Sequence, residues 1–169
     1  MDQYFEQEVF YVVDTVASML AEDENRKFIY VETAFFARWW DNADDAKRER
    51  MKKLVANGQL EFINGGWCMH DEASPLWTAM VDQTTRGHQW IKKHFGEAAN
   101  PKGTWQIDPF GHSNTQAWLL GAEAGARRCC FPGGRRAFLE TRREKLPRDA
   151  PRRIPRRAPH TGMESLFWG

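Results

Sequence analysis

Three short runs rich in β-branched and aromatic residues, "KFIYVE" (27–32), "QLEFIN" (59–64) and "GTWQI" (103–107), constrain this chain most, because stretches with helical periodicity separate them. Ahead of the first, Val9, Val12, Val13, Val16, Met19 and Leu20 recur at i, i+3, i+4 and i+7, which predicts an amphipathic helix over about 3–22. Thr33 is expected to cap the next helix, with Phe36, Trp39 and Trp40 on its inner face. The polar stretch 41–46 should end it, and a further helix through Met51, Leu54 and Val55 should stop at Asn57-Gly58. Ser74-Pro75 has the form of an N-cap followed by proline at the first helical position. The helix it opens carries Leu76, Met80, Thr84, Gly87, His88, Ile91 and Phe95 at helical spacing, and Ser113 and Gln116 later fit a capping box. Strands that alternate with helices pair in parallel, since each crossover returns the chain in the same direction, so the expected fold class is α/β. Three strands are few for a free-standing sheet, and the first helix has no strand before it. The sequence therefore reads as one that begins inside a larger domain.

Charge divides the chain in two. Up to residue 125 there are 12 Lys and Arg against 19 Asp and Glu; from 126 on there are 12 against 4, so the overall charge of +1 conceals an acidic body and a basic tail. The tail 126–169 holds 11 arginines and 5 of the 8 prolines and shows neither helical nor strand periodicity, a composition that predicts disorder. No apolar run approaches the roughly 18 residues that a membrane span needs. "MDQYFEQEVFYVV" also lacks the basic start and continuous apolar core of a signal peptide. Cys68 and the adjacent pair Cys129 and Cys130 form neither a disulfide framework nor a C-x-x-C metal pair.

In parallel α/β folds, functional groups collect at the carboxyl ends of strands. Asp108 falls there after 103–107, and Asp71 and Glu72 fall in the equivalent place after 59–64, so three carboxylates are candidates to face one cleft. Gly65-Gly66-Trp67 between them is a loop where backbone can approach a ligand closely. A lone strand-end aspartate serves a purely structural role about as often as a chemical one. His88 and His94, on one long helix, read as packed or solvated side chains, "DDAKRERMKK" as a solvated helix face, and Cys68 as a small residue near the loop.

Four motifs together, "ETAFFARWW" (32–40), "NGQLEFINGGW" (57–67), "GGWCMHDEA" (65–73) and "WQIDPFGHS" (105–113), resemble the N-terminal catalytic domain of glycoside hydrolase family 38, the class II α-mannosidases, and in particular the lysosomal type. The resemblance covers about residues 2–125, in order. It implies a parallel-sheet, barrel-like domain, incomplete here, that binds zinc and hydrolyses α-mannosides with retention of configuration. Its domain division is then 1–125, a partial catalytic domain, and 126–169, an Arg/Pro-rich tail. By resemblance Asp108 is both zinc ligand and nucleophile, which suits a hard carboxylate oxygen and a retaining glycosidase alike. Phe110 resembles the aromatic wall of the sugar pocket, with ordinary core packing its bland counterpart. Trp67 is a candidate to stack on a sugar face and Asp71 to line the pocket, whereas Trp39, Trp40 and Trp90 are expected to fill the core. His112 is expected to be a buried, hydrogen-bonded residue that holds the loop rather than a ligand. The implied partner is a mannose-containing oligosaccharide or glycoprotein glycan. The implied location is the lysosome, vacuole or secretory pathway.

The family's H-x-D-x-G-W motif, a further zinc histidine and the general acid/base carboxylate are not found in this sequence, so as written it is expected to bind zinc weakly and to have little or no activity. After "LLGAEAG" the family continues with an aromatic-rich strand, and this chain does not; an Arg/Pro/Ala-rich stretch is what a GC-rich coding sequence gives when read out of frame. Two other readings stand beside the mannosidase. One is a non-catalytic protein whose basic tail binds nucleic acid or an acidic partner, but that tail has no interleaved aromatics and the body is acidic, so nucleic acid is not the expected partner. The other is a different metal-dependent carbohydrate hydrolase, such as a deacetylase, which requires His/Asp ligands that the sequence does not display.

Overall fold

The computed structural model describes residues 2–107, 109–123, 128–130 and 136–137. It is a mixed α/β arrangement. A helical run opens at α1 (Asp2–Tyr4), passes through a π turn at Phe5–Val9 and continues as α2 (Phe10–Glu22), matching the helix expected over 3–22. Strands β1 (Phe28–Tyr30), β2 (Leu60–Phe62) and β3 (Gly103–Trp105) are the cores of the three apolar runs. Between them stand α3 (Thr33–Asn42), α4 (Asp45–Ala56) and α5 (Trp77–Phe95), and the five-residue helix α6 (Asn114–Trp118) follows β3.

β1 and β2 pair in parallel, Phe28 opposite Leu60 and Tyr30 opposite Phe62. β3 pairs in parallel with β4 (Arg128–Cys130), which pairs antiparallel with β5 (Arg136–Ala137). These last two strands fall within the stretch whose composition predicts disorder, and most of that stretch lies outside the described residues. The two small sheets are joined through one residue, by its backbone and its side chain. Asn64, two residues past β2, adopts a left-handed φ of 56°. Its backbone N–H donates to Gly103 O at 2.9 Å, its Oδ1 accepts from Trp105 N at 2.6 Å, and its Nδ2 donates to Trp105 O at 2.6 Å. An amide side chain carries the same donor and acceptor as a peptide, so Asn64 continues the ladder from β2 to β3 where the backbone has already turned away. The parallel arrangement is as expected; a barrel-like closure is not among the features that these short strands establish.

The core lies between the strands and α2–α5. Phe36, Trp39, Met51 and Ile91 are completely buried. Phe36 sits edge-on to Tyr30 at 5.2 Å and Phe62 at 5.1 Å, and Trp40 to Phe95 at 5.1 Å, the geometry that aromatic quadrupoles favour. Trp39, Trp40 and Trp90 are core residues, as anticipated.

Two helix starts differ from expectation. Thr33 is the first helical residue of α3, not its cap, and its hydroxyl donates to Gly65 O at 3.1 Å. Helix α5 begins at Trp77 behind Leu76, because the Ser74 hydroxyl is engaged by the Asp71 carboxylate instead of capping. By contrast α4 ends as expected, with Asn57 at its C-cap and Gly58 at φ 74°.

Candidate active site

Past β2 the chain turns through Asn64, Gly65 and Gly66, all buried. The glycines are required by helix packing rather than by a ligand. Gly65 has a φ of 70°, and a methyl there would run into Pro101 and the His88 ring; one on Gly66 would meet the Gln83 amide. On the facing helix a methyl at Gly87 would overlap the Gly65 carbonyl oxygen. This close approach lets the loop serve α3: Gly66 O accepts from Thr33 N at 3.0 Å and Trp67 O from Ala34 N at 2.9 Å, satisfying N–H groups that a helix start otherwise leaves open. His88 Nε2 lies 2.8 Å from Asn64 O, so this histidine holds the turn.

Trp67 is half-buried, and the Arg86 guanidinium lies 4.0 Å from its ring centroid. One face of the indole is therefore taken by a cation–π contact, and only the other remains for a sugar. Cys68 is exposed as a residue, while desolvation at its sulfur and the nearby Glu32 charge push the thiol pKa up.

Residues 70–72 form a polar cradle. His70 is held at both ring nitrogens, with Gln83 Nε2 at 2.5 Å from Nδ1 and Gln116 Oε1 at 2.8 Å from Nε2. That pattern is satisfied by the tautomer protonated on Nε2. Gln83 also accepts from Cys68 N at 3.0 Å. Asp71 turns back on its own loop: it accepts from the Ser74 hydroxyl and from the Ser74 and Ala73 amides, and these bonds, the hydroxyl's first, hold its carboxyl below the usual range. Glu72 is only 5 % exposed. Its Oε2 accepts from Ser113 N at 3.0 Å, and its Oε1 lies 3.4 Å from His112 Nδ1.

Of the predicted site residues, then, Asp71 and Glu72 do not point at a common opening: one carboxylate is a turn-former, the other a buried tie to the loop after β3. Asp108 lies outside the described residues. Phe110 is 83 % exposed and does not join the core of the described residues. His112 is exposed, not buried as expected, although its bond to Glu72 agrees with a loop-holding role. Sequence reasoning passed over Asn64 and Gln83. An Asn-Gly pair at a strand end is a signal for the left-handed turn at Asn64; nothing local marks the role of Gln83 in the loop, since its partners there, His70 and Cys68, are 13 and 15 residues away.

A cavity of about 530 Å³ lies elsewhere, between α5 and α6, lined by Trp77, Val81, His88, Trp118 and Leu119 among others. It touches none of Trp67, Asp71 and Phe110, and the strand-end loops remain the better candidate because parallel sheets gather their chemistry there. Among the described residues no group of three His, Cys, Asp or Glu side chains could hold a metal ion. Both nitrogens of His70 and both oxygens of Glu72 are already engaged, so the described residues do not by themselves fit zinc.

The model of the glycosyl hydrolases family 38 N-terminal domain matches residues 1–135. An α-mannosidase of Arabidopsis thaliana is 63 % identical over 114 residues, 68 % of this chain and 11 % of that protein. The α-mannosidase of Canavalia ensiformis is 52 % identical over 114 residues, again 68 % and 11 %. Alpha-mannosidase 2x of Mus musculus is 44 % identical over 119 residues, 70 % of this chain and 10 % of its own. The chain thus spans about a tenth of the length of the curated relatives it matches. With a family model matched over most of its length and relatives this similar, the chain belongs to glycoside hydrolase family 38 and represents part of that family's N-terminal domain.

Proposed function

We propose that this chain is part of the catalytic domain of a zinc-dependent, retaining α-mannosidase that acts on mannose-containing oligosaccharides or glycoprotein glycans in the secretory pathway, lysosome or vacuole. The observation that carries the reading is the match over residues 1–135 together with 44–63 % identity to proteins named α-mannosidases. Parallel pairing of β1 with β2, with helices between, is what a segment of a barrel-like domain requires.

In this reading the Asp108 carboxylate attacks the anomeric carbon as the glycosidic bond breaks, giving a glycosyl-enzyme that water then hydrolyses, so that two inversions restore the configuration. Phe110 supplies an apolar wall to the sugar, and Trp67 offers its uncovered face. Asp71 acts on the pocket through the turn it holds. Zinc, bound, would orient sugar hydroxyls and stabilise developing charge. Asp108 is its proposed ligand, and the remaining ligands are not supplied by the described residues. The 169-residue chain alone is accordingly proposed to bind zinc weakly and to leave mannosides intact. No helix among the described residues is long and apolar enough to cross a membrane.

A chimera tests the reading. The 114 matched residues of the Arabidopsis α-mannosidase are replaced by those of this chain, and release of nitrophenol from an aryl α-mannoside is followed. Activity in the chimera that Asp108→Asn abolishes supports the reading. An inactive, well-folded chimera, or one indifferent to Asp108→Asn, overturns it; turnover by the isolated chain would overturn only the proposal that the chain alone leaves mannosides intact.

A further inference from the structure

In a capping box, the residue three positions into a helix reaches back to the N-cap N–H. Ser113 is the N-cap of α6, its Oγ accepting from Thr115 N at 3.2 Å, and Gln116 stands at the third position. Yet the Gln116 side chain is 2.8 Å from His70 Nε2, and the Ser113 N–H is taken by Glu72 Oε2 at 3.0 Å, a residue 41 positions earlier. The Ser113 hydroxyl keeps its local bond, but both partners of the return half of the box, the Gln116 side chain and the Ser113 N–H, have been taken by one short segment, His70–Glu72. That segment is itself anchored to α5, through Gln83 at His70 Nδ1.

We propose that Glu72 is a positioning residue, which fixes the segment leading into α6 against the loop after β2 and thereby sets where Phe110 stands. The proposal rests on the mannosidase reading for its chemical meaning, but its structural content does not. A buried carboxylate is an expensive way to cap five residues of helix, because Gln116 would do so locally. Glu72 ties two loops instead. It holds the Ser113 amide with one oxygen and approaches the His112 ring with the other, so the bond fixes both the height and the rotation of the chain end that follows Phe110. Positioning of this kind matters because a small misplacement of a nucleophile or sugar wall lowers rate without abolishing binding.

Two arms test it. In the full 169-residue chain, hydrogen exchange of the 109–116 segment is compared for wild type, Glu72→Ala and Glu72→Gln, with 28–32 as an internal reference. Glu72→Ala should speed exchange at the Ser113 amide about tenfold while the reference keeps its protection, and Glu72→Gln, which retains one acceptor oxygen, should recover part of it. Unchanged exchange at Ser113, or equal loss in both segments, overturns the proposal; the second result would make Glu72 a general stability residue. In the active chimera, the same substitutions should lower kcat about tenfold or more with KM within about twofold, and Gln should again lie between. A fall confined to KM overturns it. If the parent chimera has no activity, the mannosidase reading fails on its own, and the exchange arm still decides whether Glu72 holds the loop.

Discussion

The aromatic core, packed on the strands and helices, and the polar cradle, in the loop that follows β2, are built on different rules. Around Phe36 the contacts are many and interchangeable: Tyr30, Phe62, Trp90 and Phe95 all lie with ring centroids 5.1–6.1 Å away, and no single neighbour decides the arrangement. Around His70 and Glu72 each group has one or two partners at fixed distance and angle. Burial of apolar surface is non-directional, so a core tolerates the loss of any one orientation. Hydrogen-bonded groups away from water are all-or-nothing. The core should thus set the stability of the whole unit, and the cradle the place of particular loops.

The sharpest way to break that division is Phe36→Ala. Removing a completely buried ring packed against five others should cost about 3–5 kcal/mol, seen as a lower denaturant midpoint with every segment losing protection together. A loss under about 1 kcal/mol would mean that the aromatic cluster is not the core of the unit. Gly87→Ala comes next, where the two regions meet. The added methyl cannot be accommodated without moving α5 off the Gly65 carbonyl, and overpacking of that kind costs about 1–3 kcal/mol. Here the 64–72 loop should loosen before the core does, and a simultaneous loss would show the two regions to be one cooperative unit. Gln83→Leu lies wholly in the cradle. It removes the partner of the exposed Cys68 N–H and of the half-buried His70 Nδ1, at about 0.5–1.5 kcal/mol for hydrogen bonds that water can partly replace, and the exchange of residues 66–70 should respond far more than that of β1.

The same contrast explains what could be read from the sequence. Strands β1–β3, the helical run to Glu22, the stop at Asn57-Gly58 and the inner face of α3 were all legible, because each depends on local periodicity or on one residue's backbone preference. The failures share one cause. Thr33, Ser74 and Gln116 were expected to bond to the nearest backbone N–H, and each has a side chain that found a better placed partner elsewhere: the Gly65 carbonyl, the Asp71 carboxylate and the His70 ring. Sequence displays the local option for such a group and hides the distant one. The glycines at 65 and 66 were recognised as a close approach, but what comes close is α5, a fact that only the position of Gly87 reveals. Phe110, whose apolar ring could be read equally as core or as a contact surface, is exposed among the described residues.

The smallest expected effect concerns the border of the core, where a titratable ring has been admitted among aromatics. His94 stacks 4.4 Å from Trp90 and 5.2 Å from Trp40, and burial there lowers its pKa, with Lys93, Lys52 and Arg48 adding to the shift and Asp41 opposing it. The sign follows from linkage. In the unfolded chain the imidazole takes its proton near pH 6.5; in the folded protein it does so only at lower pH, so between the two values the unfolded state binds more protons. The stability that a neutral His94 contributes is therefore complete above about pH 6.5 and is lost as pH falls through the folded value. Denaturant midpoints at pH 7.5 and 5.5 should differ by more in the wild type than in His94→Phe, which keeps the stacking and cannot titrate. Equal differences would place the ring in water. The aromatic region would then end at Trp90, and its independence from charge would be complete.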